Sequence, residues 1–259
     1  MKKILNSFFL LFAVCVFWAS AQAQAPLVRA KQVLTLSIQG SGGTNGSSVV
    51  YDASKGLYYT VIAGNAAFPL EAFDAKGKPV AQSEAGADTR GMWMNGTKLE
   101  GNGAGELGWV EFDLSSSGRP SGTARPIAEG QIQPDFQSVG TFDPKKKQVM
   151  FFDVGKIVFY SRKKMAEAKS LQLQSNDAYF PDNINYTTVG FTGQKGYEYA
   201  LLNYATREVF FFNRKGNQTG STKLPTDASV NQAFRFAFAN GYLFLYDVDS
   251  RSWAGYQVF

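Results

Sequence analysis

Histidine is absent from all 259 residues, and cysteine occurs once, at Cys15. The first absence removes imidazole acid/base catalysis, the Ser-His-Asp triad and His-ligated zinc. The second is sharpened by position. Cys15 lies inside an apolar run from Ile4 to Trp18, preceded by Lys2 and Lys3 and followed by Ala21-Gln22-Ala23. A positive start, a short apolar stretch and an A-x-A site form a secretory leader. Residues 1–23 are therefore expected to be removed near Ala23, leaving a mature chain without a thiol nucleophile or a disulfide. Such a chain depends on its core alone for stability, which a domain of this size can supply. The run is short for a bilayer span, and Cys15 sits mid-run, where a lipid anchor is not expected. The reading is an exported bacterial protein, periplasmic or extracellular, with no transmembrane segment.

Helical signals are also scarce. Only Met165–Lys169 suggests a helical turn, and it is too short to stand alone. Nor is there a strong charge of one sign: the formal net charge is +5, and two of those charges leave with the leader. That balance does not call for nucleic acid as a partner. No linker or change of composition divides residues 24–259, so one domain is expected.

What the chain has in quantity is a recurring apolar strand, turn, Gly-started strand and aromatic strand. Gly56-Leu57-Tyr58-Tyr59 is followed by Pro69-Leu70-Glu71-Ala72-Phe73-Asp74. Gly196-Tyr197-Glu198-Tyr199 is followed by Arg207 to Asn213, and Gly241-Tyr242-Leu243-Phe244 repeats the pattern once more. A period of roughly 40–50 residues holding about four strands marks a propeller blade. The expected fold is all-β, a five-bladed β-propeller, with six blades as the alternative. The fifth blade runs out of chain after three strands. Lys31–Gln39 has strand composition and no other partner, so it is expected to pair with the C-terminal strand and close the ring, removing exposed sheet edges.

The turns Phe73-Asp74-Ala75-Lys76-Gly77-Lys78-Pro79 and Phe212-Asn213-Arg214-Lys215-Gly216-Asn217 resemble those of NHL-type and related secreted bacterial propellers. The Trp-Asp dipeptide of WD40 repeats and the double glycine of Kelch repeats are missing. The resemblance implies the fold and carries over no catalytic residue.

Strands A to D of each blade, counted outward from the axis, sort the charges. Turns A–B and C–D share one face, which receives Lys145, Lys146 and Lys147 beside Arg162, Lys163 and Lys164. These six are candidates for contact with an anionic surface such as lipid or acidic glycan. Turns B–C and D–A share the other face, which receives most of the carboxylates. Its longest connection, from Gln174 to Tyr186, holds Tyr179, Asp182 and Asn183, facing loops add Asn45, Arg90 and Asn231, and the inner strand near 232–239 adds Arg235. These seven are the candidates for binding a glycan or protein at the channel mouth. Their oxygens are also compatible with Ca²⁺, although no dedicated calcium loop is present, and no cofactor is otherwise implied. Arg235, in a strand of aromatics and alanines, either ties two blades together or meets an anionic ligand. Trp93, Trp109 and Trp253 are expected between blades. The functional expectation is a monomeric, non-enzymatic binding module. The alternative is a carbohydrate-active enzyme that uses Asp88, Asp135 and Asp182, from successive blades, as paired carboxylates.

Overall fold

A computed structural model describes residues 27–177 and 180–259. The leader and Tyr179 lie outside the described residues. The first strand is β1 (Lys31–Ser37). Blade 1 follows as β2 (Asn45–Asp52), β3 (Leu57–Ala63), β4 (Pro69–Asp74) and β5 (Pro79–Glu84). Blade 2 is β6 (Thr89–Asn95), β7 (Lys98–Gly103), β8 (Trp109–Leu114) and β9 (Pro120–Ala128), with one 3-10 turn at Gly105–Leu107. Blade 3 is β10 (Thr141–Asp143), β11 (Gln148–Asp153), β12 (Lys156–Ser161) and β13 (Ala166–Gln172). Blade 4 is β14 (Gly190–Phe191), β15 (Tyr199–Asn203), β16 (Glu208–Phe212) and β17 (Gln218–Lys223). Blade 5 is β18 (Phe236–Ala239), β19 (Tyr242–Asp247) and β20 (Ser252–Gln257), completed by β1.

These are five four-stranded antiparallel sheets, and the chain forms a five-bladed β-propeller. Closure is as expected: Lys31 pairs with Gln257 and Ser37 with Ser252 across β1 and β20. Two sequence expectations are corrected. Met165–Lys169 makes no helical turn, because Ala166–Gln172 is an edge strand paired with β12, and ladder hydrogen bonds prevail over weak local helix propensity. Arg235, expected within the inner strand of the fifth blade, instead precedes β18.

Packing explains the period. Five apolar clusters fill the five seams between neighbouring blades. Each seam combines one blade's alternate residues with the facing residues of the next, as β-strand alternation requires. Tyr59, Leu70 and Ala72 of blade 1 meet Met92, Leu99 and Val110 of blade 2. Trp93 and Trp109 pack edge to face at 5.5 Å in the next seam. Trp253 and Tyr246 fill the closing seam, so close to Gly46 that a Cβ there would lie 2.5 Å from the Tyr246 ring. All three tryptophans are buried.

The turns that carry the basic charges are built on aspartates. Asp52 accepts from Ser54 N–H at 2.8 Å, Asp74 from Lys76 N–H at 2.9 Å and Asp143 from Lys145 N–H at 2.9 Å. Each is the strand-end carboxylate mimicking a backbone acceptor.

Candidate binding site

The two faces differ in how their polar groups are used. On the A–B/C–D face the two lysine-rich turns of blade 3 are neighbours, joined by Arg162 N–H to the Lys147 carbonyl at 3.0 Å. Lys145, Lys146, Lys163 and Lys164 are exposed. Arg162 is engaged elsewhere. It makes a bidentate pair with buried Glu100, at 2.5 and 2.8 Å, and lies over Trp109. Burial pushes the Glu100 carboxyl up, but the bonds from Arg162, Asn95 and Trp93 outweigh it and hold the group below its ordinary value. Lys147 donates to Asn95 Oδ1 at 3.2 Å.

The inner strands of all five blades surround an axial cavity of about 320 Å³. Its walls include Tyr51, Met94, Phe142, Phe191 and Asn240, residues at the A–B end of those strands. At the D–A end the axis is crossed by side chains. Arg90 pairs with Asp88 and donates Nε–H to Gln137 Oε1 at 2.7 Å. Its guanidinium lies 5.9 Å from the Phe136 ring and 5.8 Å from the Phe234 ring, bridging blades 2 and 5. Phe234 is fixed by Thr187 Oγ1, which accepts its N–H at 2.7 Å, and by Asn185, which donates to its carbonyl at 2.8 Å.

Four sequence candidates meet at this closed end and bond inward. Arg235 N–H donates to the Gly46 carbonyl at 2.7 Å, joining blade 5 to blade 1, and its guanidinium reaches only Asn45 Oδ1, at 3.4 Å. The Asn231 carbonyl accepts from Asn185, and Asn231 Oδ1 accepts from Ala233 N–H. Arg90 is paired as described. Of the three aspartates, Asp88 is held by Arg90 and by Gly64 N–H at 2.7 Å. Asp135 and Asp182 stand apart from it and share the wall of a second cavity. Asn183 takes a left-handed conformation, φ 60°, and accepts from the Tyr204 hydroxyl at 3.1 Å. Among the described residues no three His, Cys, Asp or Glu side chains converge as a metal-ligand group.

The second cavity, about 570 Å³, opens on the B–C/D–A face between blades 3 and 4. Phe152, Phe180, Pro181, Ile184 and Tyr186 line it together with Asp135, Asp153 and Asp182. Phe180 is stacked between Phe152 and Phe212, at 6.4 and 6.3 Å. Around it stand large apolar side chains in water: Phe136 at 52% exposure, Tyr186 at 54% and Val154 at 89%, with Leu107 further along in blade 2 at 41%. The only other exposed large hydrophobics among the described residues are Val28 and Val33, in the outermost strand of blade 5 and its lead-in. Among the described residues the lysine face has none.

Tyr186 was legible as part of the long connection, whereas Phe136 and Val154 were not singled out from sequence. Val154 had a signal. The pair Val154-Gly155 forms a two-residue turn between β11 and β12 with both φ values positive, 41° and 77°. Such turns favour Asn-Gly, and a β-branched residue with positive φ is a genuine outlier.

No protein-family model matches this chain, and no curated protein matches it by sequence. Solved structures do. Glutaminyl cyclase of Myxococcus xanthus aligns with 88% of this chain and 96% of its own, at 12% identity and a TM-score of 0.58. The β-propeller domain of Swd1 from Myceliophteria thermophila aligns with 89% of this chain and all of its own, at 10% identity and a TM-score of 0.50. At these identities the likeness concerns the fold.

Proposed function

We propose that the chain is an exported, non-enzymatic binding propeller that holds a partner protein on its B–C/D–A face, over blades 2 to 4. One observation carries this reading: Tyr186 and Val154 stand exposed at the cavity between blades 3 and 4, with Phe136 and Leu107 exposed on the same face, while among the described residues the lysine face exposes no large hydrophobic. Contiguous exposed apolar side chains rimmed by polar ones mark interaction surfaces. Phe136 is an anchor already in place. Its ring lies 5.9 Å from the Arg90 guanidinium and so near Gly105 that a Cβ there would come within 2.4 Å. An anchor ordered before binding loses little entropy on binding.

The enzymatic alternative has less support. Asp88 is tied to Arg90 and to a backbone N–H, and sits outside the cavity shared by Asp135 and Asp182. The fold shared with a glutaminyl cyclase brings no catalytic residue with it. A second reading, contact with an anionic surface, draws on the adjacency of the exposed turns Lys145–Lys147 and Lys163–Lys164.

Photo-crosslinking residues placed at Phe136 and, separately, at Lys145 test the choice. The expected outcome is a crosslink from position 136 to one identified protein, reproduced with the purified pair. Crosslinks to that protein from position 145 alone would overturn the reading.

A further inference from the structure

We infer that the cavity between blades 3 and 4 receives the cationic side chain of a lysine or arginine on the partner, while Val154 packs against an apolar residue beside it. This rests on the protein-binding reading above and specifies the chemistry of its ligand. The cavity walls suit such a side chain from both directions. Phe180, Ile184 and Tyr186 offer apolar surface to the methylene stem, and Asp135, Asp153 and Asp182 offer charge to the head. Long cationic side chains bury their stems while keeping the head in a polar setting. The volume, about 570 Å³, leaves room for a side chain and adjoining backbone.

Two of the three carboxylates, Asp135 and Asp182, are not neutralised from within. Asp153 pairs with Lys156 at 3.1 Å. The Asp135 carboxylate accepts, among the described residues, only the Gln137 N–H, at 2.9 Å, as part of its own turn. Asp182 meets no Lys or Arg at ion-pair distance among the described residues, and neither does Asp135. A net negative, apolar-walled cavity selects a cation with an apolar stem over a neutral sugar or an anion.

Val154 adds the second contact. It is held in a left-handed turn that Asn would occupy with less strain, and its side chain projects into water beside the cavity. The turn is anchored underneath: the Gly155 carbonyl accepts from Leu173 N–H at 3.0 Å and from Gln172 Nε2 at 3.1 Å. The same chain builds the other two-residue turn of this kind, at Asn240-Gly241, with the favoured residues. Strained exposed positions of this sort gather at binding sites.

The test selects displayed random dodecapeptides on the purified full chain and measures synthetic versions of the winners by calorimetry. The expected result is enrichment of sequences with Lys or Arg next to an aliphatic or aromatic residue. Replacing that Lys or Arg by norleucine should weaken binding about tenfold, as should the double change Asp135→Asn with Asp182→Asn. Val154→Asn, which relaxes its turn and so keeps the fold intact, should weaken binding about fivefold. Winners that need Tyr186 but carry no cation, or that ignore both aspartate changes, would overturn the inference while leaving the protein-binding reading in place. An empty selection would overturn it too, and the crosslinking experiment would then decide the wider reading separately. Binding by a second copy of this chain, seen as dimerisation in sedimentation, would also count against it.

Discussion

The two faces of this disc carry polar groups in similar abundance and use them differently. On the lysine face, buried ions and turn aspartates are spent on structure, as in Arg162–Glu100 and Arg214–Asp143, and most of the charge that remains exposed is lysine. On the opposite face, aromatic and aliphatic side chains stand in water over blades 2 to 4, and a carboxylate-lined cavity opens beside them. The lesson is that charge density alone is a poor guide to a binding face. An exposed lysine in a hairpin turn is well solvated where it is, whereas an exposed Phe or Val beside a cavity leaves surface that a partner can cover.

The largest expected effect lies on the lysine face and is structural. Arg162→Met leaves the buried Glu100 carboxylate without its cation and should lower stability by about 3–5 kcal/mol. Urea titration of both proteins measures it, and a loss under 1 kcal/mol would mean that Arg162 is as dispensable as its lysine neighbours. By contrast, changing Lys145, Lys146, Lys163 and Lys164 together to Gln should move stability by less than about 1 kcal/mol, because surface substitutions away from specific contacts cost little.

A second contrast is in pH. Glu100, near the lysine face, has its carboxyl held below the ordinary value of 4.5. Glu71, whose carboxylate clamps Gln39 N–H and Gly40 N–H at the other face, has its carboxyl raised by burial, against the pull of those N–H bonds and of Arg251. The folded state therefore binds the Glu71 proton more tightly than the unfolded state does, and the Glu100 proton less tightly. The contribution of Glu71 is fully present below pH 4.5 and lost as pH rises through its folded value. That of Glu100 is present above pH 4.5 and lost as pH falls through its own. The stability of wild type relative to Glu71→Gln should thus decline on going from pH 4 to 8. Relative to Glu100→Gln it should decline on going from pH 5 to 3. Parallel profiles from urea melts would remove the contrast.

A smaller effect reports on strain. Val154→Asn should raise stability by about 1 kcal/mol, since left-handed backbone costs a β-branched residue about that much and Asn tolerates it. The change Asn240→Val tests the reverse at the matching turn and should destabilise, by at least as much because Asn240 also donates to the Tyr58 hydroxyl at 2.7 Å. If Val154→Asn has no stabilising effect, the turn is not strained and the internal comparison fails.

Much of the architecture could be read in the chain. The Gly-started second strands and aromatic third strands kept their period because each seam needs the same alternation of side chains, and the spare strand at Lys31 had only one place to go. The face of each charged turn followed from strand count. What the period could not convey was packing between loops. The bridge from Phe136 through Arg90 to Phe234 ties two connections between blades to the inner strand β6, and neither connection is part of the repeat. For the same reason Arg162, read from its neighbours as one more surface cation, proved to belong to a buried pair that its local sequence does not announce. Val154 was different: the tetrapeptide Asp153-Val154-Gly155-Lys156 already placed a β-branched residue where turn chemistry asks for Asn, and attention to turn type would have marked it.

Hydrogen exchange on the full chain, with and without a partner identified by crosslinking, is the most direct test of the account. Binding should protect the backbone around 134–137, 153–155 and 180–187 and leave 144–147 and 162–165 unchanged. Protection confined to those two lysine turns would show that the opposite face does the binding.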